Sequence, residues 1–295
     1  MARIIVLGST GFVGKVLRQE LIEKNYNAKF MIHKKTKNLQ KNEFLGDILD
    51  KNSLLKILHD DDIVINLVGQ SENNFLKFFN NNLQGAMNLV EIAHLKKNLK
   101  IIFASTINVY GENCKSPSKE TDAPNPMTSY GIVKFLAEQI YEKYSKIHKL
   151  DVTILRFSNL YGKEKKLGLI PNMLSSNPKK PVYFPHSGNQ YRDFLYIQDA
   201  VNGIIQTIKT NPKFFDIFNI SSGKKLSQKQ ITKMIQTSLK RKIYYKLSEQ
   251  NNDEKCIYAS SLKAQNKLKF TPKTDFKEGL DAVSYTHLRA HETRH

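Results

Sequence analysis

The chain has 295 residues, 40% of them hydrophobic and 10% aromatic, enough for a large core in one or two lobes. No apolar run approaches the roughly 18 residues of a membrane-spanning helix, so a membrane role is not expected. The formal net charge is +19. Lysine and asparagine are nevertheless spread through the whole chain, and no basic block is interleaved with aromatics, so attraction to small anions is expected rather than specific nucleic-acid binding.

In chain order, "RIIVLG" is a short apolar run closing on glycine, which reads as a first strand and not as a signal peptide. Helical periodicity follows over Phe12 to Lys24, and "AKFMIH" is a second strand. A short helix around Leu54 to His59 precedes "DIVINLVG", a third strand. A long helical pattern covers Phe75 to Lys97, and "LKIIFAST" is a fourth strand. The next helix opens at Tyr130, and "DVTILRFSNLYG" supplies a fifth strand. Apolar runs separated by helices predict a parallel sheet covered on both faces. The expected fold is α/β, a Rossmann-type doubly wound sheet over residues 1–165, with 193–210 returning to it. A smaller mixed α/β C-terminal lobe, expected to bind substrate, takes 166–283, including the stretch from Phe215 to about Leu280.

"GSTGFVG" places Gly8, Gly11 and Gly14 between the first strand and the first helix. Glycines there permit a tight turn and close backbone approach, and the helix N-terminus then faces a pyrophosphate. The turn is therefore read as dinucleotide-binding. A fold of this kind that prefers NAD usually ends its second strand with an acid that holds the ribose hydroxyls. Here the position reads His33-Lys34-Lys35, with no carboxylate. Cations suit a 2′-phosphate, which slightly favours NADP over NAD; the same lysines also read as solvated surface charge. Asp47 in "LGDILD" sits where an acid can hydrogen-bond the adenine amino group.

"SYGIVKFLAEQI" puts Tyr130 and Lys134 four residues apart and so on one helical face. Alone, the pair is ordinary half-buried packing beside a snorkelling lysine. Together with "GSTGFVG", "GDILD", "NNLQGAMNLVEIA", "FASTINVYG", "LRFSNLYG", "YRDFLYIQDAV" and "FNISSG", in that order, it resembles the extended short-chain dehydrogenase/reductases of the NAD-dependent epimerase/dehydratase family. The resemblance runs from about Arg3 to Leu280. It implies that Tyr130 and Lys134 are the catalytic pair. It also implies that Phe12, Val13, Ile48 and Asn82 join Gly8, Gly11, Gly14, His33, Lys34, Asp47, Tyr130 and Lys134 around the cofactor. Thr106 falls at the family's catalytic Ser/Thr position, with Ser105 as the neighbouring alternative.

The chemistry explains the pair. Oxidising a sugar hydroxyl requires a base to remove its proton as hydride leaves, and free tyrosine, with a pKa of about 10, is a poor base at neutral pH. An ammonium about 4 Å away contributes roughly 4 kcal/mol at an effective dielectric near 20, or about three pKa units. Lys134 is therefore expected to bring the phenol toward neutrality, helped by the nicotinamide's positive charge.

Family dehydratases carry an Asp-Glu pair after the Ser/Thr position; this chain has Ile107-Asn108, so dehydration is not expected. The resemblance implies that Asn159 and Arg192 contact the diphosphate of a nucleotide sugar, a contact that suits a bidentate guanidinium. Asp193 is expected to tie down its loop. The reading is an NAD(P)-dependent nucleotide-sugar epimerase working through a 4-keto intermediate. The alternatives are an NADP-dependent 4-keto-sugar reductase and a non-catalytic relative. A homodimer is a further expectation.

Cys114 and Cys256 match no metal spacing, and their separation suggests no disulfide framework; a soluble, reducing, cytoplasmic setting is the expectation. The last residues, "SYTHLRAHETRH", continue no periodicity. They resemble a translated cloning read-through, so 284–295 are expected to be a non-native tail that replaces the true C-terminus.

Overall fold

The computed structural model describes residues 2–33, 39–69, 74–163, 165, 167–185, 188–240, 242–247 and 255–283. In chain order the first elements are β1 (Ile4–Leu7), α1 (Phe12–Glu23), β2 (Ala28–Ile32), β3 (Glu43–Leu45), α2 (Lys51–Ile57) and β4 (Ile63–Asn66). They are followed by α3 (Phe75–Leu95), β5 (Lys100–Thr106), a 3-10 turn (Ile107–Tyr110), α4 (Ser129–His148), β6 (Asp151–Phe157) and β7 (Asn159–Tyr161). The C-terminal part contributes α5 (Leu169–Leu174), β8 (Val182–Phe184), β9 (Gln190–Arg192), β10 (Phe194–Tyr196), α6 (Ile197–Thr210) and β11 (Phe215–Ile220). It ends with β12 (Leu226–Ser227), α7 (Gln228–Leu239), β13 (Tyr245–Leu247), β14 (Lys255–Ile257), α8 (Leu262–Leu268) and a last helix over 276–283.

Seven strands form one sheet in the order β11-β6-β5-β4-β1-β2-β3, and every neighbouring pair is parallel. Both faces are covered, which is why β1 and β4 are buried along their whole length and apolar except for Asn66 at the end of β4. On one face, Leu54 of α2, Leu89 and Val90 of α3, and Ala137 and Tyr141 of α4 pack against the sheet. On the other, Leu17 and Leu21 of α1, Val201 and Ile204 of α6, and Leu268 of α8 do so. This is the doubly wound Rossmann arrangement, with a reversal of strand order between β1 and β4 where such folds place ligands at the carboxyl strand ends.

Three details differ from the sequence reading. β3 is a short edge strand whose pattern is too brief to register as one. Ser158 interrupts the run 151–162, so its second half leaves the main sheet as β7 and pairs with β10. Residues 215–220, expected in the small lobe, instead close the main sheet as β11, hydrogen-bonded along β6. The smaller lobe has its own core of Met173, Phe184, Ile231, Ile235, Phe276 and Leu280, with a three-stranded sheet ordered β12-β9-β14.

The expectation for the cysteines is overturned. Cys114 and Cys256 form a disulfide, with sulfurs 2.09 Å apart. Their distance in sequence is spanned because the loop after the 3-10 turn lies along β14, where the Asn113 amide donates to the Cys256 carbonyl at 2.9 Å.

Candidate active site

A cleft of about 830 Å³ runs across the carboxyl ends of β1, β2, β4, β5 and β6 and continues into the smaller lobe. Its size lies within the range of small-molecule and cofactor sites. Gly8, Gly11, Phe12, Val13 and Gly14 line one end. Gly8 has φ +79°, a conformation glycine adopts without steric cost. A Cβ on Gly14 would stand 2.2 Å from the Gly8 carbonyl oxygen, so the helix can approach the turn only as glycine. His33, Asp47 and Ile48 line the same end, with His33 Nδ1 3.6 Å from the Asp47 carboxylate. Lys34 and Lys35 lie outside the described residues.

Asn82 does not reach the cleft. It is fully buried, and its side-chain amide donates to the carbonyls of Gly69 (3.0 Å) and Phe78 (2.8 Å). Gly69 does line the cleft, so Asn82 shapes that wall from behind.

At the centre stand Thr106, Tyr130 and Lys134. Thr106 ends β5, and its Oγ1 accepts from the Asn108 amide at 3.2 Å to start the 3-10 turn. Thr128 caps α4 by accepting from the Gly131 amide at 3.1 Å. A Cβ on Gly131 would come 2.8 Å from the Asn108 carbonyl oxygen. Glycine at 131 therefore lets the start of α4 press against the turn that carries Thr106. The Ser105 hydroxyl is committed to the Glu138 carboxylate, which leaves Thr106 as the hydroxyl facing the cleft beside Tyr130.

Lys134 is buried; its Nζ donates to the Ala104 carbonyl at 2.9 Å and lies 4.6 Å from the Phe103 ring centroid. Burial pushes its pKa down to about 7, with Glu138 one turn along α4 acting in the opposite direction. Tyr130 stacks on Phe78 with centroids 5.5 Å apart. The residue is 36% exposed at the cleft, yet protein surrounds it closely enough that loss of hydration pushes the phenol up to about 12. The lowering of this phenol expected from Lys134 with the nicotinamide's help is opposed by that loss of hydration. The ammonium is engaged by a carbonyl and an aromatic face.

Glu138 connects the parts of this centre, although sequence reading passed over it as one more helical glutamate. Its carboxylate takes bonds from Ser105, from Arg156 Nη2 at 2.6 Å and from Arg156 Nε at 3.1 and 3.2 Å, and both members of the ion pair are at most 3% exposed. Ser105 and Arg156 face each other in the β5–β6 register. The pair thus ties the helix of Tyr130 and Lys134 to the strand of Thr106.

The far end of the cleft holds Asn159 and Arg192. Arg192 Nη1 donates to the Tyr191 carbonyl at 2.9 Å, and burial lowers its pKa, opposed by Glu112. Asp193 ties down the neighbouring loop as expected. It is fully buried and accepts from the Ser222 amide and hydroxyl and the Gly223 amide, while burial pushes its pKa up to about 6. Lys77, Lys134, Lys165 and Arg192 line the cleft against a single carboxylate, Asp47, among the described residues. The cleft is cationic.

Residues 4–221 match the model of the NAD dependent epimerase/dehydratase family. The chain belongs to that family. A Methanocaldococcus jannaschii protein named "Putative UDP-glucose 4-epimerase" is 31% identical over 301 residues, covering 95% of this chain and 96% of its own. A Bacillus cytotoxicus UDP-N-acetyl-alpha-D-glucosaminuronate decarboxylase is 30% identical, covering 79% of each chain. Among solved structures, the Thermotoga maritima UDP-glucose 4-epimerase with UDP-glucose superposes with a TM-score of 0.83 at 26% identity, over 98% of this chain and 99% of its own. The Bacillus cereus UDP-glucuronic acid 4-epimerase superposes with a TM-score of 0.84 at 24% identity, over 98% and 99%, and shares the fold. The chain is thus an NAD(P)-binding-fold member of the epimerase/dehydratase family. Among the described residues no helix is long and apolar enough to cross a membrane.

Proposed function

We propose that the protein is a nucleotide-sugar 4-epimerase in which Tyr130 is the acid/base, Thr106 orients the reacting hydroxyl and Lys134 sets the electrostatics. The observation that carries this reading is the convergence of those three side chains in one cationic cleft with the Gly8–Gly14 turn. That turn fits a dinucleotide: the left-handed Gly8 and the Cβ-free Gly14 leave backbone open to a pyrophosphate. A nicotinamide bound there supplies the hydride acceptor and donor. Tyr130 takes the proton of the 4-hydroxyl as hydride leaves C4, and returns it after the 4-keto sugar has presented its other face. Loss of hydration raises the phenol to about 12, and the positive charge that a bound nicotinamide would supply favours its base form.

Dehydration is disfavoured by the wall itself. Ile107 is buried in an apolar cluster and Asn108 lines the cleft, where a dehydratase needs carboxylates. The second reading, an NADP-dependent 4-keto reductase, is favoured by His33 at the end of β2. We further infer that the main-sheet part, 1–165 with 193–220, holds the cofactor and that the remainder of 166–283 completes the substrate end of the cleft. We also infer a homodimer, supported by the exposed Leu76 and Phe79 of α3 and Ile132 and Leu136 of α4 on neighbouring helices.

The test is to denature the purified protein and identify the released nucleotides by mass. NAD carried through purification supports the epimerase, whereas empty protein that turns over added NADPH with a 4-keto sugar nucleotide supports the reductase.

A further inference from the structure

Gln228 is 5% exposed, lines the cleft, and its Oε1 is buried with no hydrogen-bond partner among the described residues. Its amide nitrogen donates to Gln190 Oε1 at 3.3 Å. Turning both carboxamides over would exchange the unpartnered acceptor for an unpartnered donor and leave the deficit in place. A buried polar atom without a partner is unfavourable, so its position in a ligand cleft marks a contact that the ligand completes.

The register says which part of a ligand reaches it. β12 runs antiparallel to β9 with Leu226 opposite Arg192 and Ser227 opposite Tyr191, so Gln228 follows beside Gln190. Gln190 and Arg192, two residues apart, share one face of β9, about 6.6 Å from each other along the strand. From Arg192 the chain continues to β10, where Phe194 pairs with Asn159, and Phe157 just before Asn159 pairs with Thr106. Thr106, Asn159, Arg192 and Gln190 therefore follow one another along the cleft. With the reacting sugar at Thr106 and the diphosphate at Asn159 and Arg192, the nucleoside comes next.

We propose that Gln228, held by Gln190, is the hydrogen-bonding contact that reads the nucleoside of the substrate. This rests on the nucleotide-sugar reading above. The backbone of the contact is rigid: Ser227 accepts from the Gln230 amide while Gln230 reaches back to the Ser227 amide, a capping box that fixes the start of α7.

The experiment is calorimetric titration of wild type, Gln228→Met and Gln190→Met with UDP and with inorganic pyrophosphate, alongside the melting temperature of each unliganded protein. Methionine keeps length and volume while removing the carboxamide. Gln228→Met should weaken UDP about tenfold, or about 1.4 kcal/mol, leave pyrophosphate binding unchanged, and melt no lower than wild type because the unpartnered atom is gone. Gln190→Met should shift UDP affinity in the same direction, and it carries the test if the first variant does not fold. Wild-type affinity for UDP in folded Gln228→Met overturns the assignment while leaving the nucleotide-sugar reading intact. Wild type that binds UDP no better than pyrophosphate overturns both.

Discussion

Tyr130 and Lys134 sit one helical turn apart, and their surroundings drive their pKa values apart, the phenol up to about 12 and the ammonium down to about 7. Burial is the first cause of both shifts. Lys134 in the folded protein favours its neutral amine relative to the unfolded chain, so its contribution to stability is present above about 10.5 and is lost as pH falls through about 7. Urea unfolding between pH 6 and 10 should therefore show a rise in stability with pH that Lys134→Met flattens; an unchanged slope in the variant would contradict a buried amine. Tyr130→Phe keeps the ring on Phe78 and removes the proton carrier. Turnover should fall by about 10²–10⁴-fold with cofactor affinity retained, as read by steady-state kinetics and cofactor titration. Glu138→Gln leaves the Arg156 guanidinium without its counter-charge in the core. Unfolding free energy should drop by about 3–5 kcal/mol, measured by denaturant titration, and a loss below about 1 kcal/mol would mean that the pair is hydrated.

At the scale of elements, the glycines decide where helices can lie. Gly14→Ala would place a methyl against the backbone of Gly8 and Ser9. Either the turn or α1 must then shift, and cofactor affinity should fall well before stability does, a difference that fluorescence titration and thermal melting together resolve. Much of this level was legible in the sequence. The alternation of strand and helix signals locates the doubly wound sheet, with "GSTGFVG" at the end of β1 and "SYGIVK" opening α4. What was not legible depends on tertiary contact. β11 reads as lobe because a six-residue strand carries no mark of its neighbour, and only its register on β6 reveals it. Glu138, Gln190 and Gln228 look like ordinary polar residues until burial removes water from them. The cysteines illustrate the same limit, since no spacing rule foresees a loop laid along β14.

For the whole molecule, the net charge of +19 has a local expression in the cationic cleft. If Arg192 grips a diphosphate, Arg192→Ala should raise KM for a nucleotide sugar by about 10–100-fold. It should change kcat less, because the contact serves ground and transition states alike. Any association with RNA or DNA should be insensitive to that substitution and fall steeply with salt. In an epimerase of this kind Tyr130 moves the proton of the 4-hydroxyl, while a nicotinamide in the cleft would take hydride from C4 and return it to the same carbon, so the sugar undergoes no net oxidation. The most direct test follows UDP-glucose deuterated at C4 through the purified protein with NAD, by NMR. A 4-epimerase gives a mixture of the two 4-epimers, with deuterium retained at C4 and no accumulation of NADH. Deuterium lost from C4, or NADH formed in step with substrate consumed, would contradict the epimerase reading.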